Sequence, residues 1–431
     1  MRRLGTMRVN DMGNLEIGGC DAVTLARKYG TPLYVMDQAT IEENCRTYSS
    51  TFTHPKIQTE VIYASKAFLT LSMCRLIKEE GLSLDVVSGG ELYTAMQADF
   101  PAEKIYFHGN NKTVDELIMA LNYGVRRIVI DNENEIEILE YLCSELDKSI
   151  EVLIRLNPGI EAHTHEYIQT ANNDSKFGIS IHSDHICSVI NRLTDSYFID
   201  LKGFHYHIGS QILDAESFTK AIDAMMDFLD HTRTECGYTA LELNLGGGFG
   251  IYYSEADTPL DVGGMMKQIF NTVLSKSKAL KFPLPKLLIE PGRAIVGNAG
   301  TTLYKVGGIK ETYGGRTFVF VDGGMADNPR TALYDSVYEA AIANKMTLDI
   351  STKYTVAGKC CESGDILIRE IHLPSAERDD ILAIASTGAY NYSMASNYNR
   401  LRKPAVVFVK NGHSQLVVKR ETYEDILRND I

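Results

Sequence analysis

The chain has 431 residues, 44% of them hydrophobic and 23% charged, with a formal net charge of -13. This length suits two or three domains, or one large barrel with a smaller unit, around a substantial core. The acidic balance and the lack of a Lys/Arg-rich cluster argue against a nucleic-acid partner, and no apolar run reaches the roughly 18 residues of a membrane span.

The opening Met1-Arg-Arg-Leu-Gly-Thr lacks the apolar core of a secretory signal. The eight cysteines, at 20, 45, 74, 143, 187, 236, 360 and 361, show no CxxC spacing. Free thiols in a reducing cytoplasm are therefore expected.

In chain order, the segment to Met36 is β-like at Leu15–Ile17 and Leu33–Met36. Eight apolar runs follow, at Val61–Lys66, Leu84–Ser88, Ile105–Gly109, Arg127–Asp131, Val152–Asn157, Leu201–Gly209, Leu241–Gly247 and Leu287–Pro291. Stretches of helical period separate them, among them Leu71–Glu80, Val114–Asn122, Glu133–Leu146 and Phe218–Cys236. Strands alternating with helices predict a parallel sheet, and eight such units match a (β/α)8 TIM-like barrel. Each run turns polar or glycine-rich at its C-terminal end, where barrel enzymes place their chemistry. A doubly wound open sheet would gather its site at one switch point instead.

Beyond Arg293 the pattern changes to glycine-punctuated β-like runs, at Thr301–Val306, Thr317–Val321, Lys353–Ala357 and Ala405–Val409. The chain thus reads as an α/β barrel over 37–292 and a β-rich domain over 293–431, completed by the N-terminal segment 1–36.

Lys66 closes the first run, Val61-Ile-Tyr-Ala-Ser-Lys66. An amine in an apolar setting must be paired, neutralised or used, and such a lysine can capture an aldehyde cofactor as a Schiff base. The plainer alternative is a strand-end lysine that reaches solvent. Gly246-Gly-Gly-Phe-Gly250 follows the seventh run, where converging backbone N–H groups can hold an anion such as phosphate. It is not the GxGxxG pattern of a dinucleotide site. His205 and His207 share a strand face; as a zinc pair they lack a third ligand in a suitable motif, so no metal is expected. One imidazole can instead stack on a cofactor ring, with Ser210 reaching a phosphate.

Glu290-Pro-Gly-Arg293 ends the eighth run. A buried carboxylate there can keep a pyridine nitrogen protonated and make the ring an electron sink. Arg293 offers a planar fork to phosphate or carboxylate. Cys360-Cys-Glu-Ser-Gly-Asp365 reads either as buried small side chains with a turn or as the carrier of a thiol acid, Cys361, with Glu362 a partner for a substrate ammonium. Asp327-Asn-Pro-Arg330-Thr-Ala-Leu-Tyr334 reads as a turn-rich loop with an arginine and a tyrosine at reach or as a plain solvated turn. Glu161-Ala-His-Thr-His165 reads as a plain loop, and whether 158–178 acts as a lid stays open.

The strings YASKAF at 63–68, DVVSGGELYTA at 85–95, FHGNNK at 107–112, HIGSQI at 207–212, LNLGGGFGI at 243–251, EPGR at 290–293, CESGD at 361–365 and GAYNYSMASNYN at 388–399 together resemble the diaminopimelate decarboxylases. These belong with the ornithine and arginine decarboxylases in the pyridoxal-phosphate enzymes of alanine racemase-like barrel fold. The resemblance implies that Lys66 holds pyridoxal 5'-phosphate and His207 stacks on it. Ser210, Gly248, Gly292 and Arg293 would bind its phosphate, Glu290 would face its ring nitrogen, and Tyr390 would touch cofactor and substrate. Arg293, Arg330 and Tyr334 would grip the distal carboxylate of the substrate and Glu362 its distal ammonium, while Cys361 would return the proton. In the family Cys361 and Glu362 serve the partner's site, so a cytoplasmic homodimer is implied.

The reaction implied is decarboxylation of meso-2,6-diaminopimelate to L-lysine and carbon dioxide, closing lysine biosynthesis. The alternatives are a decarboxylase of ornithine, arginine or carboxynorspermidine, a racemase, or a non-catalytic pyridoxal-phosphate-binding regulator. A racemase would suit an arginine where Glu290 stands, and a regulator would have lost Lys66 or Cys361. The family often carries proline where this chain has Thr331, which leaves the rigidity of that loop open.

Overall fold

The computed structural model describes residues 1–159 and 175–431. The loop Glu161–His165 and most of the 158–178 stretch therefore lie outside the described residues. The chain forms two compact units, one of Cys45–Gly250 and Pro259–Gly292, the other of Met1–Asn44, Ile251–Thr258 and Arg293–Ile431. Residues 37–44 and 251–258, which the sequence reading gave to the barrel, group with the second unit.

Among the described residues, eight parallel strands form the barrel of the first unit, β1 (Thr59–Ala64), β2 (Ser83–Val86), β3 (Ile105–Phe107), β4 (Arg127–Ile130), β5 (Ile150–Asn157), β6 (Ile199–Tyr206), β7 (Glu242–Asn244) and β8 (Lys286–Ile289), and the two-residue strand Ile179–Ser180 pairs with the end of β5. Each barrel strand pairs with the next and β8 pairs with β1, so the sheet closes into a barrel. Helices such as Leu71–Glu79, Val114–Tyr123, Glu133–Leu146 and Ala215–Glu235 run between strands. Their starts are set by Thr70, Thr113, Asn132 and Asp214, whose side chains accept a backbone N–H of the first turn.

The strand interiors are aliphatic, as expected for strands buried on both faces. At the N-terminal end of the barrel the rule is broken by charge. Arg127 of β4 is buried and forks onto Glu242 of β7, with Nη2 donating to Oε1 at 2.9 Å and Nε to Oε2 at 3.2 Å. The two strands are not neighbours, so the pair spans the barrel interior. Glu151 also meets Arg127, and Lys286 meets Glu60.

The second unit is a mixed sheet. Its long central strand, Gly300–Glu311, pairs antiparallel with Leu33–Asp37, Thr317–Val321 and Ile381–Ala385. Leu33–Asp37 in turn pairs parallel with Ala405–Lys410, so residues from both ends of the chain lie side by side in one sheet. Among the described residues, no helix is long and apolar enough to cross a membrane.

One expectation is corrected. Cys187, in helix Ile186–Asp195, is bonded to Cys236, just past helix Ala215–Glu235, with Cα atoms 5.2 Å apart. The sequence gives no hint of this, because 49 residues separate the pair and only the docking of two outer helices brings them together. In a reducing compartment the same residues are adjacent thiols.

The Arg127–Glu242 fork carries a prediction. Glu242→Leu leaves a buried guanidinium without its fork partner and lowers stability by about 3 kcal/mol, while Arg127→Met with Glu242→Leu recovers most of the loss. Urea denaturation of the three proteins measures it; equal losses in the single and double variants would count against the pairing.

Candidate active site

The C-terminal ends of the barrel strands gather the polar residues. Lys66 follows β1 in a short turn, Ser65–Ala67, and not within the strand itself. Ser65 and Ala67 are buried and Lys66 is exposed, which corrects the expectation of an amine enclosed by apolar side chains. The turn lifts the side chain out of the packed strand to the barrel mouth. Its ammonium still lies near enough to Asp85, Glu91 and His207 to act electrostatically on all three.

Glu290, following β8, is buried. Asn244 of β7 donates Nδ2 to its Oε1 at 2.7 Å, and His205 of β6 approaches Oε2 with Nε2 at 3.2 Å. His108, following β3, places Nε2 2.9 Å from Oε1. Burial alone would push the Glu290 carboxyl up, but the two imidazoles and their hydrogen bonds outweigh it and hold the group well below the usual carboxylate range. Burial pushes the His205 imidazole down to about 4, so it is neutral at pH 7. Burial likewise drives His207 well below its ordinary value, with the Lys66 charge adding to the effect.

His108, His205 and Glu290 bring ligand atoms within 4.8 Å of one another. The set that could share an ion thus joins His205 to His108 and Glu290, not to His207.

Asp85, in β2, faces the same mouth. Burial lifts its carboxyl to about 6, opposed by His108 and Lys66. Arg155 of β5 stands 3.8 Å from Asp131 and lies over the Phe177 ring at 4.2 Å.

The glycine run is demanded by its surroundings. A Cβ on Gly247 would run into the carbonyl oxygen of Glu290, and one on Gly248, at φ +103°, into that of Gly209. Glu290 N–H donates to the carbonyl of Gly246 at 2.8 Å and Ile212 N–H to that of Gly248 at 2.9 Å. The run after β7 is therefore laced to the 207–212 loop and to Glu290, which brings Ser210, Gly248 and Glu290 to one rim. An ionised buried carboxylate, a neutral imidazole, an amine and a side-chain-free backbone turn form a donor set that fits pyridoxal phosphate.

Other motif residues prove local. Ser88 caps helix Gly89–Gln97, and Glu91 accepts from Val87 N–H and from the Ser65 hydroxyl. Lys112 is buried and donates to the carbonyls of Gly109 and Val129 and to Glu135.

In the β-rich unit, Arg293 and Arg330 both lie against Tyr390. Their guanidinium carbons are 4.9 and 5.2 Å from its ring centre. Arg293 also donates to the Tyr253 hydroxyl, and Arg330 lies 5.1 Å from the Tyr334 ring centre. Tyr390 is held at φ +68°, an uncommon conformation for a tyrosine. Thr331 is buried and donates its hydroxyl to the carbonyl of Leu367 at 2.9 Å, so a hydrogen bond ties down this loop without proline. Cys361 and Glu362 are exposed; the Cys361 N–H donates to Asn399 Oδ1 at 2.7 Å. Asp365 accepts from Met325 and Cys360 N–H groups, which joins the 322–334 loop to the CESGD turn.

The sequence reading gave no individual role to Asp85, His108, Asn244 or Tyr253. The first three sit inside the strings quoted above, at strand ends, and that position was the usable signal. Nothing local marks Tyr253.

The mouth makes a pH prediction with opposing signs. His205 titrates near 6.5 unfolded and about 4 folded, so protein stability falls by up to roughly 3 kcal/mol as pH drops between those values. Asp85 titrates near 3.8 unfolded and about 6 folded, so its share of stability is lost as pH rises across that window. The two nearly cancel, and Asp85→Asn is expected to steepen the acid-side loss. Urea midpoints of the cofactor-free protein at pH 4 to 7 test it; an unchanged slope would show that Asp85 is not raised.

Comparison with known proteins agrees with this layout. Residues 38–297 match the family model described as pyridoxal-dependent decarboxylase, pyridoxal binding domain. A diaminopimelate decarboxylase of Bacillus subtilis is 52% identical over 99% of this chain and 97% of its own length. That of Staphylococcus aureus is 45% identical over 99% of both chains. A solved diaminopimelate decarboxylase of M. jannaschii in complex with L-lysine superposes with a TM-score of 0.92 at 35% identity, over 100% of this chain and 99% of its own. The chain belongs to the diaminopimelate decarboxylase family of pyridoxal-dependent decarboxylases.

Proposed function

We propose that the chain decarboxylates meso-2,6-diaminopimelate to L-lysine and carbon dioxide, the closing step of lysine biosynthesis, with pyridoxal phosphate held on Lys66. The observation that carries this reading is the buried, ionised Glu290 at the same barrel rim as Lys66, His207 and the glycine turn. Bound pyridoxal phosphate supplies a ring that accepts the electron pair left when the bond from Cα to the carboxylate breaks. Lys66 would hold the cofactor through its amine and would be free to give way to the amine of the substrate. Glu290 keeps the ring nitrogen protonated, His207 covers the ring as a neutral imidazole, and Ser210, Gly248, Gly292 and Arg293 take the phosphate.

In the β-rich unit, Arg293, Arg330 and Tyr334 bind the distal carboxylate, and Tyr390 contacts cofactor and substrate. Glu362 takes the distal ammonium, and the Cys361 thiol gives its proton to Cα after carbon dioxide leaves. Two distal groups of opposite charge then select a diamino diacid over ornithine or arginine, whose lack of a distal carboxylate would leave Arg330 unanswered. The exposure of Cys361 and Glu362 supports their service to a second copy, in a cytoplasmic homodimer.

Lys66→Ala is expected to abolish carbon dioxide release from meso-diaminopimelate, and the intact enzyme to prefer that substrate to ornithine and arginine. Faster release from either of these would overturn the substrate assignment. Mixing Lys66→Ala with Cys361→Ala chains, each inactive alone, is expected to restore about a quarter of wild-type activity, because half of random dimers carry one intact shared site. No recovery on mixing would place Cys361 in its own chain's site.

A further inference from the structure

Glu290 accepts hydrogen bonds from two donors on two different strands, and the His108 Nε2 atom lies beside it. Asn244 and His108 meet Oε1 at 2.7 and 2.9 Å, and His205 meets Oε2 at 3.2 Å. The donors are themselves fixed. Asn244 Oδ1 accepts the Gly246 N–H at 2.9 Å, so its amide must turn Nδ2 towards Glu290. The His108 and His205 rings meet edge to face, with centres 4.8 Å apart. Among the described residues His205 Nδ1 is buried without a hydrogen-bond partner, which matches a bare lone pair there and the proton on Nε2, facing the carboxylate.

The chemistry of these donors is the informative point. A lysine or arginine at either donor position would hold Glu290 equally well, but it would cancel the charge in an ion pair. An amide and a neutral imidazole donate N–H groups and leave the carboxylate its full charge.

We propose that His205 and Asn244 are positioning residues that hold Glu290 ionised and aimed with uncharged donors, reserving its charge for the protonated ring nitrogen of the cofactor. This rests on the reading of Glu290 given above. Removing a donor leaves the carboxylate in place but lets it rotate or take up a proton, so the loss falls on the interaction with the ring nitrogen. Contacts to the phosphate and the aldehyde are untouched.

The test compares binding of pyridoxal phosphate with its 1-deaza analogue, in which carbon replaces the ring nitrogen, by fluorescence titration of the cofactor-free protein. Wild type is expected to prefer pyridoxal phosphate. His205→Leu and Asn244→Ala are each expected to reduce that preference roughly tenfold, the worth of one hydrogen bond to a charged group. His205→Gln, which keeps an N–H donor, is expected to recover most of it. A purely structural role would weaken both ligands alike, and unchanged preference in both donor-deleting variants would overturn the proposal. If wild type and Glu290→Gln showed no preference, the role of Glu290 itself would fail instead. One zinc ion kept per chain after EDTA dialysis, and lost in His205→Leu, would also overturn the proposal in favour of a metal centre.

Discussion

A closed parallel barrel admits no water to its interior, so each charge that enters it must be answered by a side chain from another strand. The two ends of this barrel meet that constraint in opposite ways. At the N-terminal end Arg127 is met by full countercharges, Glu242 and Glu151, and the fork ties β4 to β7 across the interior. At the C-terminal end Glu290 accepts hydrogen bonds from the Asn244 amide and the neutral His205 imidazole. The first arrangement quenches charge and leaves a structural joint. The second keeps charge where a ligand can use it, and burial makes that charge worth more than it would be in water.

The same economy extends to the backbone. The turn after β7 carries glycine because Glu290 and Gly209 carbonyls fill the space a Cβ would need. The turn is thus shaped by its contact with the residue that follows β8, and a side chain at Gly247 would displace Glu290. Such coupling explains why motif residues need not touch a ligand. Ser88, Glu91 and Lys112 satisfy helix ends and strand ends around the mouth, and the strings that contain them are signatures of a scaffold as much as of a substrate.

The barrel was legible because its eight strands are short aliphatic runs that end on polar residues. Glu133–Leu146, Leu15–Ile17 and Thr317–Val321 were read to the residue, since each is bounded by a sharp change in composition. Strand Ile366–Leu373 was missed because its outward positions are charged. Lys66 was placed at the right strand end and given the wrong burial; the periodicity of a strand does not show where a tight turn begins. Contacts between distant segments, such as Cys187 with Cys236 or Arg293 with Tyr253, leave no local trace at all.

Tyr390 shows how far such long-range pairing can go. Arg293 and Arg330 both lie against its ring, and both are buried. The attraction of each cation for the aromatic face offsets part of the cost of burying it. It does not remove the repulsion between two like charges gathered around one ring. Arg330 Nε is also buried without a hydrogen-bond partner among the described residues. A ligand anion met by both guanidinium groups relieves the repulsion and supplies the missing acceptor at once. A cationic side chain in the same place would worsen both, and this asymmetry favours a substrate whose far end carries a carboxylate. Holding Tyr390 at φ +68° is the backbone strain that keeps the ring against the two arginines.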